Sequence, residues 1–235
     1  MEGCRGQLTR LCDARPWCRP LLGVALLQGP DDLHGLGHTL RVLCNALWLL
    51  EEEKLEADLD IVIAASLLHD VGRILERWTG LHHAVLSAEI ARVLLPLLGF
   101  PGEKVERVAS AILEHSFSLG GRPSSPESCV LSDADKLDAL GAIGFARMIA
   151  YGQEAGRLFR DSLRHFREKL EKLPGLMCTE AGRRAAAERL EKLRAMVVAL
   201  EGELEAYFEA YRLLDESVKA LKPGGRLAGG GGGQR

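Results

Sequence analysis

Residues 61–72 read IVIAASLLHDVG. Ile61 to Leu68 is almost unbroken apolar sequence, and it runs directly into an imidazole and a carboxylate, His69–Asp70. An unpaired carboxylate buried at the end of such a run is costly, so the fold must supply partners. A divalent cation is an economical one, because it satisfies both groups at once. A hydrogen-bonded His–Asp near a helix end is the other reading of the dipeptide taken alone. Asp58 or Asp60 can cap the helix that the run implies, and Gly72 ends it.

Outward from this segment the pattern stays helical. Leu36, Leu40, Leu43 and Leu47 recur at three- to four-residue spacing before it. A further helix is expected over roughly 81–98, and Pro101 falls near the first turn of the next, which ends around His115. Residues 119–128 hold Gly120, Gly121, Pro123 and Pro126, which is turn chemistry: a connector, or a lid over a site. CVLSDADKLDALGAIG, residues 129–144, returns to apolar spacing. Two long helical stretches follow Gly152, joined at LPGLMCTEAG. Period-2 alternation is nowhere sustained, so the expected fold is all-α with a long C-terminal helical extension. Residues 1–30 read as a poorly organised leader, since Pro16, Pro20 and Pro30 discourage a long helix. The helical domain is expected over 31–222, with a core at 31–152 and a C-terminal part at 153–222. Residues 223–235 read as a flexible Gly-rich tail.

The C-terminal stretch carries an apolar heptad, with Leu190, Val197, Leu204, Tyr211 and Val218 in one row. Leu193, Leu200, Tyr207 and Leu214 form the other. It is either an amphipathic helix lying on its own domain or the seam of a homodimer.

Composition narrows the function classes. Of 235 residues 47% are hydrophobic and the net charge is −3, with a pI of about 6.2. No basic stripe favours nucleic acid as the main partner. The apolar stretch LLGVALL, from Leu21, is far short of the ~20 residues that span a bilayer. The six cysteines form no C-x-x-C pair, so neither a zinc knuckle nor a disulfide framework is indicated, and a cytoplasmic setting is expected.

Further polar clusters sit in apolar surroundings. HGLGHTLRV places His34 and His38 four apart, on one helix face. DADKLD sets Asp133, Asp135 and Asp138 into an otherwise apolar helix, and His82, His83 and His115 follow the same habit. His165, within the basic SLRHFREK, reads as a solvated face residue, and Arg41 as a partner in a structural salt bridge.

The order His38 … His69–Asp70 … Asp135 resembles the H…HD…D signature of the HD superfamily of metal-dependent phosphohydrolases. The likeness is nearest to the bacterial YpgQ/YedJ-like HD hydrolases. It runs through HTLRV, LLHDVGR, HHAVLSAEIA, EHSF and DADKLDALGAIG into HFREKLEKLPGLMCTEAGRRAAAER, covering roughly residues 31–212. The resemblance implies an HD-domain helical bundle with His38, His69, Asp70 and Asp135 as metal ligands and Asp70 in the catalytic role. His83 and His115 align with histidines that bind a second metal or face the substrate phosphate. Gly35 and Gly37 stand where related sequences carry Asp or another polar residue.

Imidazoles with carboxylates suit Mn²⁺, Fe²⁺, Co²⁺, Ni²⁺ or Zn²⁺ better than Mg²⁺ at the first site, with one or two ions bound. Such an ion lowers the pKa of a bound water toward ~7 and offsets phosphoryl charge. Arg73 either binds substrate phosphate or compensates a helix end. Lys136 is either a substrate contact or solvated, and His34 is a further candidate for substrate. The implied activity is hydrolysis of a phosphate ester or anhydride by a metal-activated water, and the family alone points to a nucleotide as its substrate. Competing readings are a diiron oxygenase on the same ligands and a non-catalytic nucleotide-binding regulatory module.

Overall fold

The computed structural model describes residues 2–29, 33–116, 119–205 and 207–221, and these are helical with no strand. They fall into two compact units, Met1–Leu193 and Arg194–Arg235. The first unit contains α1 (Glu2–Asp13), α2 (Cys18–Leu26), α3 (Leu36–Glu53), α4 (Leu59–Leu68) and α5 (Arg73–Thr79). It continues with α6 (His83–Leu97), α7 (Val105–His115), α8 (Pro126–Asp138), α9 (Gly141–Glu154) and α10 (Phe159–Glu168). Short 3-10 segments lie at Gly102–Lys104 and Leu170–Leu176. Helix α11 (Glu180–Glu205) belongs to this unit as far as Leu193.

Helix α4 is the segment on which the reading began. It is apolar all round rather than on one stripe, which suits only a helix enclosed on every side. Every residue from Ile61 to Leu68 is fully buried, with α2, α3, α6, α7 and α8 packed about it. Asp58 is the cap: its carboxylate accepts from the backbone N–H of Asp60 at 3.0 Å and of Ile61 at 3.4 Å. Helix and run end together at Leu68. Tight turns follow, with Val71 N–H donating to Leu68 O and Arg73 N–H to Asp70 O. His69 and Asp70 therefore stand at the inner end of the most buried helix.

Gly72 completes this corner. A Cβ there would lie 2.4 Å from the carbonyl oxygen of His83 and 2.7 Å from the backbone nitrogen of Ser87. Only glycine lets α6 start so close, and Gly72 N–H donates to Ser87 Oγ at 2.9 Å. The close approach sets His83 beside Asp70.

The three aspartates of DADKLD do three different jobs. Asp133 accepts from the backbone N–H of Cys178 (2.9 Å) and Thr179 (2.8 Å) and from Thr179 Oγ1 (2.7 Å), tying α8 to the start of α11. Arg189 anchors the same helix, donating to Leu137 O at 2.8 Å and to Asn45 Oδ1 at 3.0 Å. Asp135 and Asp138 face the site described below.

The leader reading is corrected. α1 and α2 are helical, and Trp17, Cys18, Leu21 and Ala25 are buried. Trp17 meets Phe100 edge-on, with 4.8 Å between centroids, and Arg15 Nε pairs with Asp60 at 2.6 Å. Pro20 is the third residue of α2, where its missing N–H has no helical partner to lose. The absence of a disulfide is corrected too: Cys12 and Cys18 are bonded, joining α1 to α2, and Cys44 is also disulfide-bonded.

Ser125 caps α8 in a capping box with Ser128, and Ser124 N–H donates to Glu114 at 2.7 Å, so the end of the 119–128 stretch is fastened. Leu190 and Leu193 are buried within the first unit. The heptad beyond them divides between α11 and α12 (Phe208–Leu221), and Ala206 between these helices lies outside the described residues. So does the Gly-rich tail. No helix among the described residues is long and apolar enough to cross a membrane.

Candidate metal centre and its cavity

His38 from α3, His69 and Asp70 from the end of α4, His115 from the end of α7 and Asp135 from α8 converge on one place. His38 and His69 are each 1% exposed and Asp70 2%. His38 Nε2 lies 3.2 Å from His69 Nε2, 3.4 Å from Asp135 Oδ1 and 3.7 Å from Asp70 Oδ2. One ligand atom from each of His38, His69 and Asp135 lies within 4.8 Å of the others, and the same holds for His69, Asp70 and His115.

The other ring nitrogens decide the chemistry. His38 Nδ1 is 2.8 Å from Asp138 Oδ2, and His69 Nδ1 is 2.9 Å from the carbonyl oxygen of Ser66. His115 Nδ1 meets the carbonyl oxygen of Ile112. A carbonyl or carboxylate oxygen can only accept, so each Nδ1 carries the proton and each Nε2 presents a lone pair. Two such lone pairs face one another across 3.2 Å. Asp70 Oδ1 is buried and accepts no hydrogen bond, with His83 Nε2 at 3.5 Å. Converging lone pairs and an orphaned carboxylate oxygen are what a divalent cation satisfies, so these residues fit the group that the sequence implies.

The electrostatics agree. Burial alone would raise the Asp70 carboxyl, yet Arg73 and the surrounding imidazoles hold it well below the usual carboxylate range. Burial also opposes ionisation of Asp135, and His38, His115 and His69 overcome it. Burial disfavours protonation of three of the rings. His38 is lowered chiefly by burial, His83 to about 4 by burial and then Arg73, and His115 to about 4 by burial and then His69. Neutral imidazole is the ligating form.

Around these atoms stands a supporting layer. Asp138, 2% exposed, accepts from Arg41 Nε (2.7 Å) and Arg147 Nη1 (2.8 Å) besides orienting His38. Arg41 thus makes the salt bridge expected of it. Glu76 Oε1 is 3.3 Å from His83 Nδ1, and His82 caps α6 through Nδ1.

The centre forms one end of a cavity of about 440 Å³. His34 lines it, with Nδ1 3.5 Å from Asp70 Oδ2, as do His83 and His115. Arg73 lines it while Nε binds Asp70 Oδ2 at 2.6 Å. Lys136 lines the cavity, and of its two readings the solvated one is corrected, since it is 9% exposed with Nζ held by Ser132. The solvated reading of His165 is corrected as well. His165 is half-buried in the cavity wall rather than on a solvated face. Its basic neighbours, Arg164 and Arg167, hid the alternation that turns it inward.

Sequence reasoning passed over Asp138 as a positioning group and Glu76, Tyr151, Arg157 and Lys169 as cavity residues. Asp138 had a signal, since it lies one helical turn after Asp135. The others had none.

The HD domain family matches residues 35–140, a span that holds His38, His69, Asp70 and Asp135. YpgQ of Bacillus subtilis (strain 168) is 34% identical over 188 residues, which cover 77% of this chain and 89% of that protein. The chain belongs to the HD superfamily. A predicted HD superfamily hydrolase from an uncultured Thermotogales bacterium superposes with a TM-score of 0.61 at 32% identity, covering 86% of this chain and 98% of that one. The structure of Bacillus subtilis YpgQ in complex with ADP gives 0.64 at 29% identity, covering 83% and 96%. As a member of this superfamily the chain is a metal-dependent phosphohydrolase.

Proposed function

We propose that the chain hydrolyses a phosphate ester or anhydride of a nucleotide, at a divalent centre held by His38, His69, Asp70 and Asp135. The observation that carries the site assignment is the approach of two unprotonated ring nitrogens, His38 Nε2 and His69 Nε2, to 3.2 Å. A cation there supplies an acidified water and a counter-charge for the phosphoryl group. Mn²⁺, Fe²⁺, Co²⁺, Ni²⁺ and Zn²⁺ suit this ligand set better than Mg²⁺.

The protein's own part is positioning. Asp138 and the Ser66 carbonyl fix the tautomers of His38 and His69. Arg73 holds Asp70 through Nε, has Nη1 3.9 Å from Glu76 Oε2 and lines the cavity, so its guanidinium can also meet a phosphoryl oxygen there. A second ion would be held by His83 and His115, with Asp70 Oδ1 3.5 Å from His83 Nε2 as a further oxygen within reach. The nucleotide is supported by the ADP complex of YpgQ, a protein of the same fold, and by a cavity of about 440 Å³, within the range for small-molecule sites.

The test is a panel of nucleoside mono-, di- and triphosphates beside sugar phosphates and p-nitrophenyl phosphate, each with Mn²⁺, Co²⁺ or Mg²⁺. Preferred turnover of nucleotides is expected. Preference for a non-nucleotide ester would reject the substrate. His83→Ala and His115→Ala should lower bound metal from about two ions to about one per chain, and unchanged stoichiometry would leave them as substrate-facing residues.

A further inference from the structure

Among the described residues Cys129 and Cys178 are free thiols, while Cys12, Cys18 and Cys44 are disulfide-bonded. The two free cysteines are distant in sequence, and the fold brings them together. Cys129 lies in the first turn of α8, where its N–H donates to Ser125 O at 3.0 Å. Asp133 follows four residues later and so shares its face of the helix. Asp133 Oδ1 accepts from the backbone N–H of Cys178 at 2.9 Å, and Oδ2 from that of Thr179 at 2.8 Å. The fit is close, since a Cβ at Gly182 would lie 2.6 Å from Asp133 Oδ2. This clamp lays residue 178 against the start of α8, and the thiols of Cys178 and Cys129 meet in a hydrogen bond.

Both side chains are half-buried, so a small reagent reaches them from solvent. Neither lines the cavity or belongs to the clusters of candidate metal ligands. Burial, and then the bond to Cys129, push the Cys178 thiol up to about 12. The segment between them, residues 130–177, carries Asp135 and Asp138 on α8 and the cavity residues Tyr151 and His165 on α9 and α10. Its two ends are therefore the point at which half of the site is tied off.

We propose that Cys129 and Cys178 are a redox-active dithiol, closed to a disulfide by a low-molecular-weight disulfide such as oxidised glutathione, and that the bond fastens α8 to the start of α11. Cys178 keeps its proton, so the Cys129 thiolate attacks one sulfur of the reagent, breaks its S–S bond and expels one small thiolate. The Cys178 sulfur then attacks Cys129 in the mixed disulfide, and the second small thiolate leaves with the Cys178 proton. Two protein thiols are oxidised by two electrons, and one reagent disulfide is reduced to two thiols that take up both protons. The link restricts the unfolded chain and leaves the metal centre as it is.

The full-length protein is treated with oxidised glutathione, the remaining thiols are alkylated, and peptides are mapped without reduction. A cross-linked pair joining Cys129 to Cys178 is expected. Cys178→Ser should instead accumulate glutathione at Cys129, and Cys129→Ser should leave Cys178 free. Treatment should raise the Tm of wild type by roughly 5–10 °C with its metal content unchanged, and should leave the Tm of the double serine variant where it was. Free Cys129 and Cys178 after treatment overturn the proposal, as does a wild-type protein that stops at the mixed disulfide. A bond that forms without raising Tm overturns its fastening role.

Discussion

At the inner end of the cavity His38, His69 and His115 are buried, and each is held by a hydrogen bond at Nδ1. At the outer end Arg157 and Lys169 are exposed, with no ion pair to fix them among the described residues. The inner groups are oriented before any ligand arrives, which suits a cation that demands fixed geometry. The outer groups keep the freedom of exposed side chains. Salt should leave the inner end nearly untouched: raising ionic strength should leave metal retention unchanged within about twofold, because buried charges are screened little.

The largest expected effect strikes the inner end. His83 and His115 titrate near 4 in the folded chain against about 6.5 when unfolded. Between those values the unfolded chain binds more protons, so the stability of the metal-free protein falls as pH drops from about 6.5 toward 4. The loss is on the order of 3 kcal/mol for each ring. Urea unfolding in EDTA across that range measures it, and a flat profile would mean the rings are not buried neutral. Next comes Asp138→Ala, which leaves two arginines and His38 without their shared carboxylate. It should cost about 3–5 kcal/mol, read as a lowered Tm. Asp138→Asn keeps the shape and should weaken metal about 10- to 100-fold. Unaltered metal affinity in that variant would remove Asp138 from its positioning role.

Gly72→Ala should destabilise by about 1–3 kcal/mol, because the atoms its methyl meets include backbone that cannot swing aside. A variant as stable as wild type would show that α6 can retreat. The smallest effect belongs to Arg164→Ala on the outer surface of α10, where Arg164 pairs with Asp161 at 62% and 31% exposure. It should change stability by less than about 0.5 kcal/mol, read as Tm. A clearly larger fall would mean that this pair does more than an exposed ion pair does.

The same contrast explains what the sequence disclosed. The inner end was legible because α4 is apolar without interruption until His69–Asp70, so polar residues there had to be satisfied. Its finer plan was not: Asp133, Asp135 and Asp138 are chemically identical, and only the packing of α11, α3 and α7 assigns one to a backbone cap, one to the centre and one to His38. The outer end was invisible, since Tyr151, Arg157, His165 and Lys169 look like surface residues until α9 and α10 fold back. The helices of the leader were hidden by prolines that fall before α2 and in its first turn, where they do little harm.

Metal content of the purified full-length protein, measured for wild type and Asp70→Ala, tests the central claim most directly. The account predicts that wild type retains a divalent cation and hydrolyses phosphate substrates. Asp70→Ala should lose both while its circular dichroism stays helical. An Asp70→Ala protein that keeps its metal and full activity would contradict it.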